Sequence, residues 1–305
     1  MKKIIQYFTL LFCGILALWA CEKEINYDWA DSEPKLTMFG LITPTDTQLV
    51  QFANDSSWAY VPTTYIELSQ STSIFNTRRP MPPEGVKMAR FENGVFKDSI
   101  REFRQNGVFD IKGGFRFGQD YTIKASHPDF KSIEATVSIP DTVCIESAIY
   151  DATKRELTFS FFDASGMDFY SFDISYTDGG PISFQTIDPD VSTFQANLYD
   201  SILFPFSNDF LTTGITGYLN DENFNGKKKT VTLIMPDDVS LTIKDIWINL
   251  HSINFDYYEL QRTFAAYYSN KDNPFAENVQ IHSNVKNGLG LIGAKSTTRK
   301  IAIKK

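Results

Sequence analysis

Between residues 35 and 139 the chain is written almost wholly in a period of two, and that alternation limits its fold more than any other feature. Short alternating segments at 35–42, 65–68, 86–91, 95–103, 108–111, 121–125 and 133–139 are cut by Asn93-Gly94, Asn106-Gly107 and Gly113-Gly114. Successive side chains of a strand point to opposite faces, so each segment can bury one face and wet the other. Asparagine and glycine accept the positive φ that tight hairpin turns demand. Many short strands with no helical pattern between them predict a β-sandwich.

A second set follows a boundary at Pro140-Asp141. Segments 156–161 and 170–176 alternate cleanly, residues 178–228 are irregular enough to hold long loops, and 230–235 and 245–250 are two further strands. One helix is predicted, over about 254–270. Asn254 is its candidate cap, and Asp256 and Glu259 suit its positive N-terminal end. Tyr257, Leu260, Phe264 and Tyr267 fall on one face, expected to pack on the second sandwich rather than to serve as a ligand shelf. Segments 289–294 and 299–303 close the chain as one or two strands. The predicted fold is mainly β: two tandem, immunoglobulin-like β-sandwich domains, 34–140 and 141–305, the second carrying the amphipathic helix.

The start of the chain gives an address. Lys2 and Lys3 precede an apolar run over residues 4–19, and the small residue Ala20 stands directly before Cys21. That is the pattern of a secretory signal, too short and too poorly flanked for a membrane span. Residues 1–20 are the expected signal peptide, Cys21 the expected lipid acceptor, and 21–33 a polar tether, although Trp19 is bulkier than the residue usual two places before such a cysteine. Lipid contributes roughly 0.8 kcal/mol per buried methylene, so several acyl chains hold a protein on a membrane without a spanning helix. Glu22, Lys23, Glu24 and Asp28 place charge next to that site. The cluster resembles the acidic export signal that carries lipoproteins of Bacteroidota to the outer face of the outer membrane; a solvated linker is the alternative.

Removing residues 1–20 leaves 285, enough for two cores, and takes the formal net charge from -8 to -10. Such a surface repels nucleic acid. Cys13 leaves with the signal, Cys21 is the lipid acceptor, and Cys144 then has no partner in the chain. Without disulfides the protein must be held by packing, for which 26 Phe and 14 Tyr supply the area.

The segment Cys21-Glu22-Lys23-Glu24-Ile25, the opening Pro34-Lys35-Leu36, the passage from Tyr121-Thr122-Ile123 to Ala135-Thr136-Val137-Ser138-Ile139-Pro140, and a distinctive tail carry a family pattern. The tail runs from Asn273-Pro274-Phe275-Ala276-Glu277 through Asn284 and Gly288-Leu289-Gly290 to Gly293-Ala294. Together these resemble the Bacteroidota lipoprotein family called domain of unknown function 4249, over essentially the whole mature chain. Asn287-Gly288 replaces a more usual Gly-Gly pair, which touches local turn geometry only. The resemblance implies an outer-membrane lipoprotein, often encoded beside TonB-dependent transporters. It implies no catalytic residues.

Chemistry is otherwise sparse. His127, His251 and His282 stand apart in sequence, in no metal-ligand spacing. Neither a nucleophile elbow nor a phosphate-binding glycine loop is present, while a triad assembled from distant segments is recognisable only by geometry. Asp221, Asn223 and Asn225 before Gly226 begin like a calcium loop. Lys227, Lys228 and Lys229 follow, and Thr232 stands where a bidentate Glu should close the site, so a tight turn between strands is the favoured reading and no metal is expected. Asp98-Ser99-Ile100, Asp141-Thr142-Val143 and Asp200-Ser201-Ile202 resemble O-glycosylation acceptors, with Ser99, Thr142 and Ser201 the hydroxyls. Trp58 and Tyr60 are aromatics in a polar loop, either contacts for a partner or ligand or the loop's own small core. The expected protein is a non-enzymatic accessory subunit of an outer-membrane complex with a TonB-dependent transporter, without cofactor; the alternative is direct capture of a glycan or peptide.

Overall fold

The first strand of the body pairs with the last long one. In the computed structural model, which describes residues 33–44, 49–50, 58–59, 63–71, 81–103, 107–176, 180–193, 215–236, 245–271, 273 and 275–304, β1 (Leu36–Ile42) runs parallel to the thirteen-residue β19 (Leu289–Ile301). Between them the first half of the chain contributes β2 (Leu49–Val50), β3 (Trp58–Ala59), β4 (Thr63–Gln70), β5 (Lys87–Glu92), β6 (Val95–Phe103), β7 (Val108–Lys112), β8 (Asp120–His127) and β9 (Phe130–Ser138). The second half adds β10 (Ile145–Asp151), β11 (Glu156–Phe162), β12 (Phe169–Tyr176), β13 (Pro181–Ile182), β14 (Gln185–Thr186), β15 (Ser192–Thr193), β16 (Gly217–Asn220), β17 (Lys228–Ile234) and β18 (Ile246–Ile253). The helix α1 (Phe255–Asn270) precedes β19, and β20 (Ile303–Lys304) ends the chain. Among the described residues the fold is mainly β, a sandwich architecture with one helix.

In the first half, neighbouring strands run β1-β4-β7-β6-β5-β8-β9, and Glu134 of β9 bridges back to Lys286 beside β19, so the sheet curls around its own core. Met38, Ile66, Leu68, Phe109, Ile123 and Val137 fill it, each at an alternate position of its strand. Burying a side chain of this kind is worth about 1.5–3 kcal/mol, which explains why alternation governs the register. Asn93 and Gly94 both take positive φ, 49° and 79°, making the two-residue turn that matches strand twist between β5 and β6. Tyr121 is fully buried, yet its hydroxyl accepts from the Arg116 amide at 2.9 Å and donates to the Gly114 carbonyl at 3.2 Å. That is the tyrosine-corner arrangement common in sandwiches.

In the second half the sheet β15-β16-β12-β18-β19 faces the sheet β14-β17-β11-β10-β20 across Phe159, Phe161, Tyr170, Phe172, Val231 and Ile248. Phe172 packs edge-on to Phe159 and stacks on Phe184. A third cluster lies under α1, where Tyr257, Tyr258, Leu260 and Phe264 meet Leu41, Phe169 and Leu291. The predicted stripe is right for three of its four residues. Tyr267 is exposed, and Tyr258 is buried in its place.

The chain passes from the first core to the second at Pro140-Asp141, but β19 ties both together. Its start pairs with β1, from Thr37↔Leu289 to Ile42↔Ala294, and its end pairs antiparallel with β18 from Lys295 to Ile301. Residues 34–305 accordingly form one compact unit. Local alternation cannot reveal such a pairing, because it depends on the two ends of the body meeting.

Candidate functional site

Cys21, Glu22, Lys23, Glu24, Tyr60 and Ser201 lie outside the described residues. Trp58 is in β3, which pairs with β2 through Val50↔Trp58 as a two-stranded sheet of its own. Ser99 is exposed on β6 opposite Ala89, and Thr142 is exposed in the segment between the two cores.

The loop that opens like a calcium site does not converge as its spacing suggested. The Asn223 side chain donates to Asp190 at 2.7 Å, and Asn225 bonds Gly166 in both directions, through its amide group to the carbonyl and through its Oδ1 to the N–H. Asp221 alone turns inward. Gly226, at φ 68°, completes a tight turn before β17, and Phe224 is buried beneath it. Lys229, which would have opposed a cation, is instead engaged by Asp188 at 3.0 Å and Asp190 at 2.5 Å.

Turned inward, Asp221 meets two carboxylates that its own segment does not contain. One oxygen each of Asp163, Asp168 and Asp221 lie within 4.8 Å of one another. Asp163 is fully buried at the end of β11. The Tyr170 hydroxyl donates to its Oδ1 at 2.5 Å and the Gly226 amide to its Oδ2 at 2.7 Å. Burial, that bond and the neighbouring carboxylates push the Tyr170 hydroxyl strongly up, so it stays a donor. Burial, together with Asp163 and Asp221, raises the carboxyl of Asp168. The two loops are fastened by the Asp221 amide on the Asp168 carbonyl at 3.2 Å and the Gly226 amide on the Ala164 carbonyl at 3.2 Å. Asp163 and Asp168 do not stand out in the sequence as partners of Asp221, because only the sheet brings them to it. Two aspartates flanking Ser165-Gly166 between strands were the available signal.

Of the three histidines, His251 has the most connected place. Its Nε2 lies 2.9 Å from Asp173 Oδ2 and its Nδ1 2.8 Å from Thr297 Oγ1. Burial lowers His251, so the ring is neutral at pH 7, with Nε2–H donating to Asp173 and Nδ1 accepting from the hydroxyl. Burial alone would raise Asp173, but bonds from His251 and Asn249 outweigh it and hold the carboxyl below its usual range. The order of groups is that of a nucleophilic relay. Its origin is a ladder, since His251 pairs with Ser171 on one side and Thr297 on the other. The row continues through Asn249, which Arg299 reaches at 2.7 Å while lying over Trp247.

The tail of the sequence binds α1 to β19. Asn284 exchanges bonds with the Ile292 backbone at 2.9 and 3.0 Å and donates to Asp256 at 3.1 Å. His282 bonds the other oxygen of Asp256 at 2.8 Å. Asn254 makes no side-chain cap to its own helix; its Oδ1 accepts from the Ala294 amide at 2.8 Å instead. A Cβ on Gly293 would press on Tyr257 at 3.1 Å. Asn287 takes φ 60°, a conformation that asparagine tolerates nearly as glycine does, which accounts for its place before Gly288. Phe275 is the exception in this well-tied region. Asn273 accepts from the amides of Phe275 at 3.0 Å and Ala276 at 3.1 Å, and the turn so built leaves the Phe275 side chain 95% exposed.

The family described as Domain of unknown function (DUF4249) matches residues 22–301. No curated protein matches.

Proposed function

Because the chain belongs to the family of domain of unknown function DUF4249, we propose that it is a non-catalytic, lipid-anchored lipoprotein of a Bacteroidota outer membrane, displayed outward. It serves as accessory subunit to an outer-membrane complex with a TonB-dependent transporter. Cys21 carries the lipid, Glu22, Lys23 and Glu24 direct export, and the residues up to 33 tether a body that begins at Pro34. The observation that carries the partner role is Phe275. A bare phenylalanine on a bonded turn offers contact area at little ordering cost, the kind of anchor that protein interfaces use.

The test is affinity recovery of the Cys21-anchored protein from its own gently solubilised outer membrane, beside Cys21→Ala and Phe275→Ala. A stoichiometric transporter recovered with the wild type, lost with Cys21→Ala and weakened by Phe275→Ala, is the expected result. Recovery of the protein alone would overturn the reading. Trp58 supports the second reading, capture of a glycan or peptide, because its strand belongs to a small sheet of its own. That reading requires ligand binding by the purified chain that is lost on Trp58→Ala.

A further inference from the structure

We propose that Asp163, Asp168 and Asp221 hold a calcium ion between the β11–β12 and β16–β17 loops. Asp163 is fully buried and Asp221 is 2% exposed, and among the described residues no lysine, arginine or histidine forms an ion pair with any of the three. Among the described residues, Asp221 Oδ2 is buried without a hydrogen-bond partner. A buried carboxylate oxygen beside two other carboxylates, with nothing donating to it, lacks the compensation that buried charge requires. A cation supplies that compensation for all three groups at once.

The donor set selects the metal. Carboxylate oxygens suit hard cations. Two oxygens on opposite sides of a calcium ion, at about 2.4 Å each, stand up to about 4.8 Å apart, whereas magnesium at about 2.1 Å draws them to about 4.2 Å. The three oxygens lie within 4.8 Å of one another, inside the span that a calcium ion bridges. The outer partners are already in place: Tyr170 and the Gly226 amide orient Asp163, leaving it free lone pairs, and the bonds between the two loops fix their separation.

Terbium, which replaces calcium and emits when a nearby tyrosine is excited, tests this directly because Tyr170 touches Asp163. The full chain, stripped with chelator, is titrated with terbium, then with calcium as competitor, and melted with and without about 10 mM calcium, above the range of weak extracellular sites. Tyrosine-sensitised emission that calcium displaces, with a melting temperature that calcium raises, is expected. Both responses should vanish in Asp221→Asn and in the less buried Asp168→Asn, the latter covering the case in which Asp221→Asn does not fold. Absence of sensitised emission together with a calcium-insensitive melting temperature in the wild type overturns the proposal.

Discussion

Arg90 holds Asp98 with two parallel bonds, Nε to Oδ1 at 3.1 Å and Nη2 to Oδ2 at 2.5 Å, from a side chain that is only 5% exposed. Its remaining nitrogen reaches the Gly113 carbonyl at 2.9 Å, and the guanidinium lies over Phe115. Asp98→Ala should therefore destabilise by about 1–3 kcal/mol, through the buried guanidinium left short of acceptors rather than through the half-exposed carboxylate. Denaturant unfolding, with a lower midpoint at unchanged slope, checks this.

Gly290 sits at φ 113° with the place of a Cβ only 2.1 Å from the Met38 carbonyl oxygen. Gly290→Ala must part β1 from β19, and a loss above about 3 kcal/mol is expected. Gly85 also has positive φ but open space around it, so Gly85→Ala should cost about 1 kcal/mol. Thermal melts of the two variants separate strain from collision.

Asp168 carries a folded-state pKa raised by burial and by its acidic neighbours. Its contribution is favourable below the unfolded value, about 3.9, and is lost as pH rises through the raised folded value. In chelator, Asp168→Asn should gain stability relative to the wild type across that rise. With calcium present the gain should disappear, and melting temperatures from pH 4 to 8 would show it.

His251 runs the other way. Burial depresses it, so its neutral form stabilises the fold above about pH 6.5 and that stability is lost as pH falls toward the folded value. His251→Gln should flatten this acid limb in pH-dependent melts. Because the relay is a ladder of cross-strand pairs, a serine-reactive probe should leave Thr297 unlabelled, and labelling abolished by Thr297→Ala would make it a nucleophile.

Thr142 is the better placed of the two described candidate glycan acceptors. Ser99 lies in a paired strand next to an aspartate committed to Arg90, whereas Thr142 is exposed between the cores. Intact-mass measurement of protein from its source should lose a glycan shift with Thr142→Ala and keep it with Ser99→Ala.

Period-two segments and the Asn93-Gly94 turn were legible because they are local: each strand announces its own buried face, and a positive φ restricts residue choice. The helix was legible for the same reason, except that Tyr258 replaced Tyr267 once its position over Phe169 decided which ring was covered. The parallel register of Thr37 with Leu289 has no local trace. Nor has the meeting of Asp163 and Asp168 with Asp221, although Asp221 itself stood out. The sequence spacing pointed to Asn223 and Asn225 as its companions, and cross-loop bonds to Asp190 and Gly166 took those side chains elsewhere.

The pairing of β1 with β19 joins positions about 250 residues apart, so it sets an order of events during synthesis. A chain delivered N-terminus first presents β1 long before its mate exists, and until then one side of that strand is an open template for any other extended segment. Both cores wait on the same final stretch. A stop codon just before Leu289 would therefore deprive each half of a strand at once, and the product should behave as a proteolysis substrate rather than as a folded first half.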